Sequence, residues 1–215
     1  MKRETQLPRL LALSPGNVDV QRPGRFLEAL DSALEAGLPG LMLREPRLGD
    51  GAYLELARLV RARLARSAGP CWFAVHDRAH LALDLAADAV HLSFRSLRAE
   101  ELRPWTGERL AIGLSSHAAD APESWQGADY LVHGPLRSTP SKEGRLAPIG
   151  FAGLRAAVAA APCPILALGG VRPEDVAPAL QAGAWGVAVL SGILLAEDPR
   201  AATRAYLEAL AALRE

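Results

Sequence analysis

The chain has 215 residues, 50% hydrophobic and 22% charged, a soluble globular composition long enough for one large domain or two small ones. Its 24 basic side chains balance 24 acidic ones, which argues against a nucleic-acid binder working by bulk charge. No apolar run reaches the roughly 18 residues of a membrane helix, MKRETQLPRLLALSPG lacks the long apolar region of a signal peptide, and Cys71 and Cys163 make no metal motif. The expectation is a soluble cytoplasmic protein with no membrane or nucleic-acid partner.

Short apolar runs alternate with helical patterns along the chain. Arg9–Ser14 reads as a first strand, and a helix with Leu27, Leu30 and Leu34 on one face ends at Gly37. Gly40–Arg44 is the second strand, followed by a longer helix with Tyr53, Leu56, Val60 and Leu64 in a stripe. Cys71–His76, Asp88–Ser93, Leu110–Leu114 and Asp129–His133 follow as strands. The crossovers around Leu97–Arg103 and Ala118–Trp125 are short and weakly helical. Pro164–Leu168 and Gly186–Ser191 complete the set, with a helix stop at Gly183 between them. Asp198 followed by Pro199 is an N-cap with proline at the first helical position, opening a helix with Tyr206, Leu210 and Leu213 on one face. The strands are apolar without strict alternation, as parallel strands covered on both faces require.

Eight such units predict an α/β fold, a (β/α)8 TIM barrel, with residues 1–215 as a single domain. A doubly wound open sheet is the alternative, because closure is not written in the sequence. Apolar helices around a barrel are compatible with a homodimer. In such barrels the active site lies at the C-terminal strand ends. Those ends carry Ser14, Arg44, His76 with Asp77, Ser93, Ser115–His117, His133–Gly134, Gly169–Gly170 and Ser191–Gly192. LALGG and VLSG close the last two strands, where barrels often bind phosphate, although glycines there can also simply turn the chain. STPSK, at Ser138–Lys142, is either an anion-wrapping lid or a plain surface loop. Arg44 ends an apolar strand and needs an anion or a structural partner such as Glu45. Asp77 reads as a metal ligand, a base or, more commonly, a helix cap. His117 is placed for general acid–base work or for a structural role.

These pieces together resemble the thiamine-phosphate synthase/TenI family. The segments that carry the likeness are LMLREP, VHDRAHLALDLAADAVHLS, IGLSSH, ADYLVHGPLRSTPSKEG and PILALGGVRPEDVAPALQAGAWGVAVLSGI, spanning about Leu10 to Leu213. The resemblance implies a phosphorylated thiazole as ligand, with its phosphate at Gly169, Gly170, Ser191 and Gly192. It implies that Thr139, Ser141, Lys142 and Arg44 meet the pyrophosphate of a pyrimidine substrate. The chain departs from the synthase motifs at Met42 and Pro46, where glutamine and lysine are expected, and at His76, where asparagine is expected. Asp77 keeps one metal carboxylate, and Ser96 stands where the second belongs. A TenI-type thiazole tautomerase, with His117 moving the proton and no cofactor, is therefore the first expectation. Thiamine-phosphate synthase, with Mg²⁺ and with Arg44 and Lys142 in catalytic roles, is the alternative. A non-catalytic phosphate-binding barrel is the third.

Overall fold

The computed structural model describes residues 6–93, 95–139 and 146–212. Eight parallel strands close into one barrel in sequence order, so the open-sheet alternative is excluded. They are β1 (Leu10–Leu13), β2 (Gly40–Leu43), β3 (Trp72–His76), β4 (Ala89–Leu92), β5 (Ala111–Ser116), β6 (Tyr130–His133), β7 (Ile165–Leu168) and β8 (Gly186–Val189). Each falls on its expected run. β1 closes the ring by pairing Leu10 with Val187 and Ala12 with Val189.

Strand periodicity sorts the side chains into two cores. Leu11, Leu13, Met42, Trp72, Ala74, Ala89, Tyr130, Val132, Leu166 and Ala188 point inward and fill the lumen. Their neighbours, such as Leu10, Leu41, Leu43, Phe73, Val75 and Val90, point outward into the larger core under the helices. Both faces are dry, which is why the runs show no polar alternation.

The helices cover that outer face. α1 (Gly24–Glu35) buries Phe26, Leu27, Leu30, Ala33 and Leu34, one apolar stripe. Each large side chain in that stripe stabilises by about 1.5–3 kcal/mol. α2 (Asp50–Leu64) buries Tyr53, Leu56, Ala57, Val60 and Leu64, and the Tyr53 hydroxyl donates to the Leu43 carbonyl at 2.7 Å. α3 (Ala79–Ala82) is one turn, and α4 (Ala99–Thr106) is short, as expected. The next crossover holds only a 3₁₀ turn at Pro122–Trp125. α5 (Gly150–Ala160), α6 (Val176–Gln181) and α7 (Ser191–Leu194) lead to α8 (Pro199–Ala211). The Asp198 carboxylate accepts from Ala201 N at 2.9 Å, which is the expected cap. Gly37 and Gly183 adopt φ of +92° and +95° after α1 and α6, stops that side-chain-bearing residues disfavour. No helix among the described residues is long and apolar enough to cross a membrane.

Two aspartates pin the strand starts. Asp88 Oδ2 accepts from Phe73 N at 2.8 Å, and Asp129 Oδ2 accepts from Ile112 N at 2.7 Å. Each sits just before its strand and bonds across to the preceding one. Each thereby fixes register, and a slip of one residue would reverse inward and outward faces.

Inside the barrel, the Tyr130 ring lies directly against Gly113. A Cβ on Gly113 would fall 2.1 Å from Tyr130 Cζ. Gly113→Ala should therefore destabilise the fold by at least about 1–3 kcal/mol through overpacking, read as a lowered denaturation midpoint. An unchanged midpoint would contradict this packing.

Candidate active site

One side of the barrel mouth is built from residues that continue the inward-facing rows of β2 to β5. Arg44 follows β2, His76 ends β3, His91 lies in β4, and Ser115 lies near the end of β5. His76 and His91 are register partners on adjacent strands, with ring centroids 5.8 Å apart. His91 is 1% exposed. Its Nε2 lies 3.0 Å from Ser115 Oγ and its Nδ1 lies 3.2 Å from Tyr130 Oη. Burial pushes the His91 pKa well below its ordinary value. The His76 and Arg44 charges add to that shift, against the opposing pull of Asp77. His91 is thus a neutral imidazole.

Asp77 sits beside this pair, in a turn with φ +61°. It does not cap α3, whose first turn has no side-chain cap. Instead its carboxylate faces the β4 end. Oδ1 accepts from Ser93 N at 2.9 Å and from the Ser96 hydroxyl. Oδ2 accepts from Ser93 Oγ at 2.9 Å, and His76 Nδ1 approaches it at 3.1 Å. Hydrogen bonds to a charged group contribute about 1.5–3 kcal/mol each, enough to outweigh partial desolvation. Partial burial pulls the Asp77 pKa upward, yet His76, Ser96 and Ser93 hold it well below the usual carboxylate range.

This donor set does not fit a protein-held Mg²⁺. Both Asp77 oxygens are already engaged, and Ser96 supplies a hydroxyl donor where a second carboxylate would be needed. Among the described residues no group of three or more His, Cys, Asp or Glu side chains could hold a metal.

Arg44 is half-buried, and its backbone N–H donates to Ser14 Oγ at 2.7 Å. The suggested Arg44–Glu45 pairing gives way to another use of Glu45. Its carboxylate is 1% exposed and accepts from Gly16 N and Val18 N, each at 2.9 Å. That carboxylate shapes the loop after β1.

His117 follows β5 with its side chain 24% exposed, and its backbone N–H donates to Asp120 Oδ2 at 2.7 Å. Its ring Nδ1 stands 3.7 Å from the same oxygen. Ser116 and His133 share the strand ends but face outward. Ser116 Oγ bonds His133 Nδ1 at 2.9 Å, and the His133 ring meets Trp125 edge-on.

The loops after β6 and β7 are joined. Leu136 N donates to the Leu168 carbonyl at 2.8 Å and Arg137 N to the Gly169 carbonyl at 2.9 Å. Gly169 and Gly170 have φ of +99° and +64°. A Cβ on Gly170 would meet the Ser138 carbonyl at 2.8 Å, so glycine is needed there for close approach of backbone to backbone. Arg137 Nε bonds the buried Asp175 at 2.8 Å and ties the same two segments again. Thr139 is partly buried, while Ser141 and Lys142 lie outside the described residues. Ser191 opens α7, and Gly192 lies against Tyr206, whose hydroxyl a Cβ would meet at 2.6 Å.

His91 falls inside the expected strand Asp88–Ser93, not among the strand-end candidates. The signal was there in the pairing of AVHL with WFAVH, whose histidines share one register and one face.

The depressed Asp77 pKa has a definite pH signature. Its bonds are made by the anion, so their stabilisation is present above the ordinary carboxylate pKa of about 3.9 and lost as pH falls toward the folded value. Asp77→Asn should lower stability at neutral pH, and the gap to wild type should narrow below about pH 4. Denaturation midpoints across pH test this, and a gap that widens in acid would refute it.

The family model for thiamine monophosphate synthase matches residues 15–193. A thiamine-phosphate synthase of Moorella thermoacetica is 37% identical over 190 residues, covering 87% of this chain and 90% of its own. One from Salinispora arenicola is 42% identical over 163 residues, covering 75% and 77%. A solved thiamine phosphate pyrophosphorylase from Pyrococcus furiosus superposes with TM-score 0.78 at 27% identity, covering 96% of this chain and 97% of that one. These names side with the synthase alternative rather than the expected tautomerase. With a family model matched over residues 15–193, a matching barrel and this breadth of identity, the chain belongs to the thiamine monophosphate synthase family.

Proposed function

We propose that this protein joins a pyrimidine pyrophosphate to a thiazole phosphate, forming thiamine phosphate and releasing pyrophosphate. The identity to relatives named thiamine-phosphate synthase, across most of both chains, carries this reading. In the reaction the C–O bond to pyrophosphate breaks with its electron pair leaving on oxygen. The thiazole nitrogen then donates its lone pair to the carbon cation. Arg44 neutralises the departing pyrophosphate from the barrel mouth. Lys142, Thr139 and Ser141 contact it from the loop after β6. Gly169, Gly170, Ser191 and Gly192 hold the thiazole phosphate through backbone N–H groups.

A second reading rests on one observation. Ser96 and Ser93 saturate Asp77, so the site is built for hydroxyl donors and a carboxylate rather than for a metal. Proton transfer by His117 on a thiazole carboxylate phosphate would need no metal and suits that arrangement.

Product formation from both substrates, followed by chromatography with excess Mg²⁺ and again with EDTA, separates the two. The synthase reading expects thiamine phosphate from wild type and at least a hundredfold loss in Arg44→Ala and Lys142→Ala. No thiamine phosphate, together with a proton shift that survives EDTA and fails in His117→Ala, would replace it with the tautomerase.

A further inference from the structure

Successive residues of an extended chain face opposite ways, so Arg44 leaves β2 on the inward row and Glu45 on the outward one. The two charges are parted there. Glu45, 1% exposed, turns to the loop after β1 and accepts from Gly16 N and Val18 N, one amide on each carboxylate oxygen. Backbone amides thus satisfy a buried carboxylate that would otherwise be costly. A carboxylate that gave those oxygens to Arg44 instead would neutralise the guanidinium before any ligand arrived. The anchored loop returns against Arg44. Ser14 Oγ, on a fully buried residue, accepts from Arg44 N at 2.7 Å. Gly16, at φ +88°, packs against the side chain, where a Cβ would meet Arg44 Nη1 at 3.0 Å. Glycine permits both that turn and that closeness. The Arg44 charge in turn bears on the mouth, where it disfavours a proton on His91.

We infer that Glu45 and Gly16 are positioning residues for Arg44: Glu45 draws the loop after β1 onto its carboxylate, and Gly16 in that loop forms a fixed rest for the guanidinium. The arginine is a long side chain that would lose much rotational freedom on meeting an anion. A rest built during folding removes that cost from binding and holds the charge ready for a pyrophosphate group. The inference rests on the proposed role of Arg44 as the pyrophosphate contact, and it concerns binding rather than turnover.

Calorimetric titration of the full chain with inorganic pyrophosphate and Mg²⁺ tests this through a double-mutant cycle. Glu45→Gln keeps the shape but leaves one acceptor oxygen for two amides. Gly16→Ala puts a methyl where the guanidinium rests. Each should weaken pyrophosphate by about tenfold, and so should Arg44→Lys, which keeps a charge but has no Nη1 to rest on Gly16. In the Arg44→Lys background, Glu45→Gln and Gly16→Ala should each cost less than about twofold more, because the atom they position is gone. A merely structural role would give the same loss in both backgrounds. Backbone amide ¹H–¹⁵N spectra check that each variant is folded. If Glu45→Gln does not fold, the Gly16→Ala cycle decides by the same criterion. Full affinity in the folded single variants, or losses that simply add to that of Arg44→Lys, overturns the inference. Wild type that binds no pyrophosphate, or full affinity in Arg44→Lys, overturns it by removing its premise. A chain that makes no thiamine phosphate yet shows the coupling would sink the synthase reading and leave this inference standing.

Discussion

A tyrosine ring crosses the barrel lumen because the residue facing it, Gly113, has no side chain. That contact sets the level of everything above it. Tyr130 shares the lumen with small inward residues of β3 and β4, Ala74 and Ala89, and it meets Trp72 edge-on with centroids 5.5 Å apart. The inward side chains below are buried, so the polar residues above rest on a packed apolar floor. His91 is pinned between that floor and Ser115, and His76 stands beside it on the next strand. The asymmetry of the mouth follows. The side formed by β2 to β5 is rich in side-chain donors and charges, while the side formed by β7 and β8 presents mainly glycine backbone.

The eight strands were legible in the sequence for a physical reason. A strand buried on both faces must be apolar throughout, and its ends are marked where the chain meets water again. The short crossovers around α4 and Pro122–Trp125 were legible for the opposite reason, since they offer too few apolar positions for a long stripe. His91 was not legible, because its role depends on the neighbours that register gives it, and register is a property of pairs of strands. Of the three uses the sequence left open for Asp77, the helix cap is the one the structure sets aside, for a related reason. Its left-handed turn aims the carboxylate sideways at Ser93 and Ser96, and that turn conformation is uncommon for a residue with a side chain. Glu45 followed the same pattern, bonding the backbone of the β1 loop instead of the arginine beside it in sequence.

The family likeness and the local chemistry pull on different residues. In the proposed synthase reading, Arg44 and the glycine turns serve two anionic groups. The resemblance expects glutamine, asparagine, lysine and a second carboxylate where Met42, His76, Pro46 and Ser96 stand. The replacements are consistent among themselves. Where a carboxylate pair would repel itself and require a cation, one carboxylate is instead satisfied by two serines and a histidine.

The tie between the loops after β6 and β7 changes the arithmetic of binding. Main-chain bonds from Leu136 and Arg137, the contact at Gly170 and the Arg137–Asp175 pair make the two segments one mechanical piece. Two groups on separate loops would each lose motional freedom when a ligand arrived, and each loss would weaken the complex. Here that ordering is completed during folding. A shift of the β7 turn is therefore carried directly to Ser138, whose carbonyl packs against Gly170, and the two segments answer any contact as a single body.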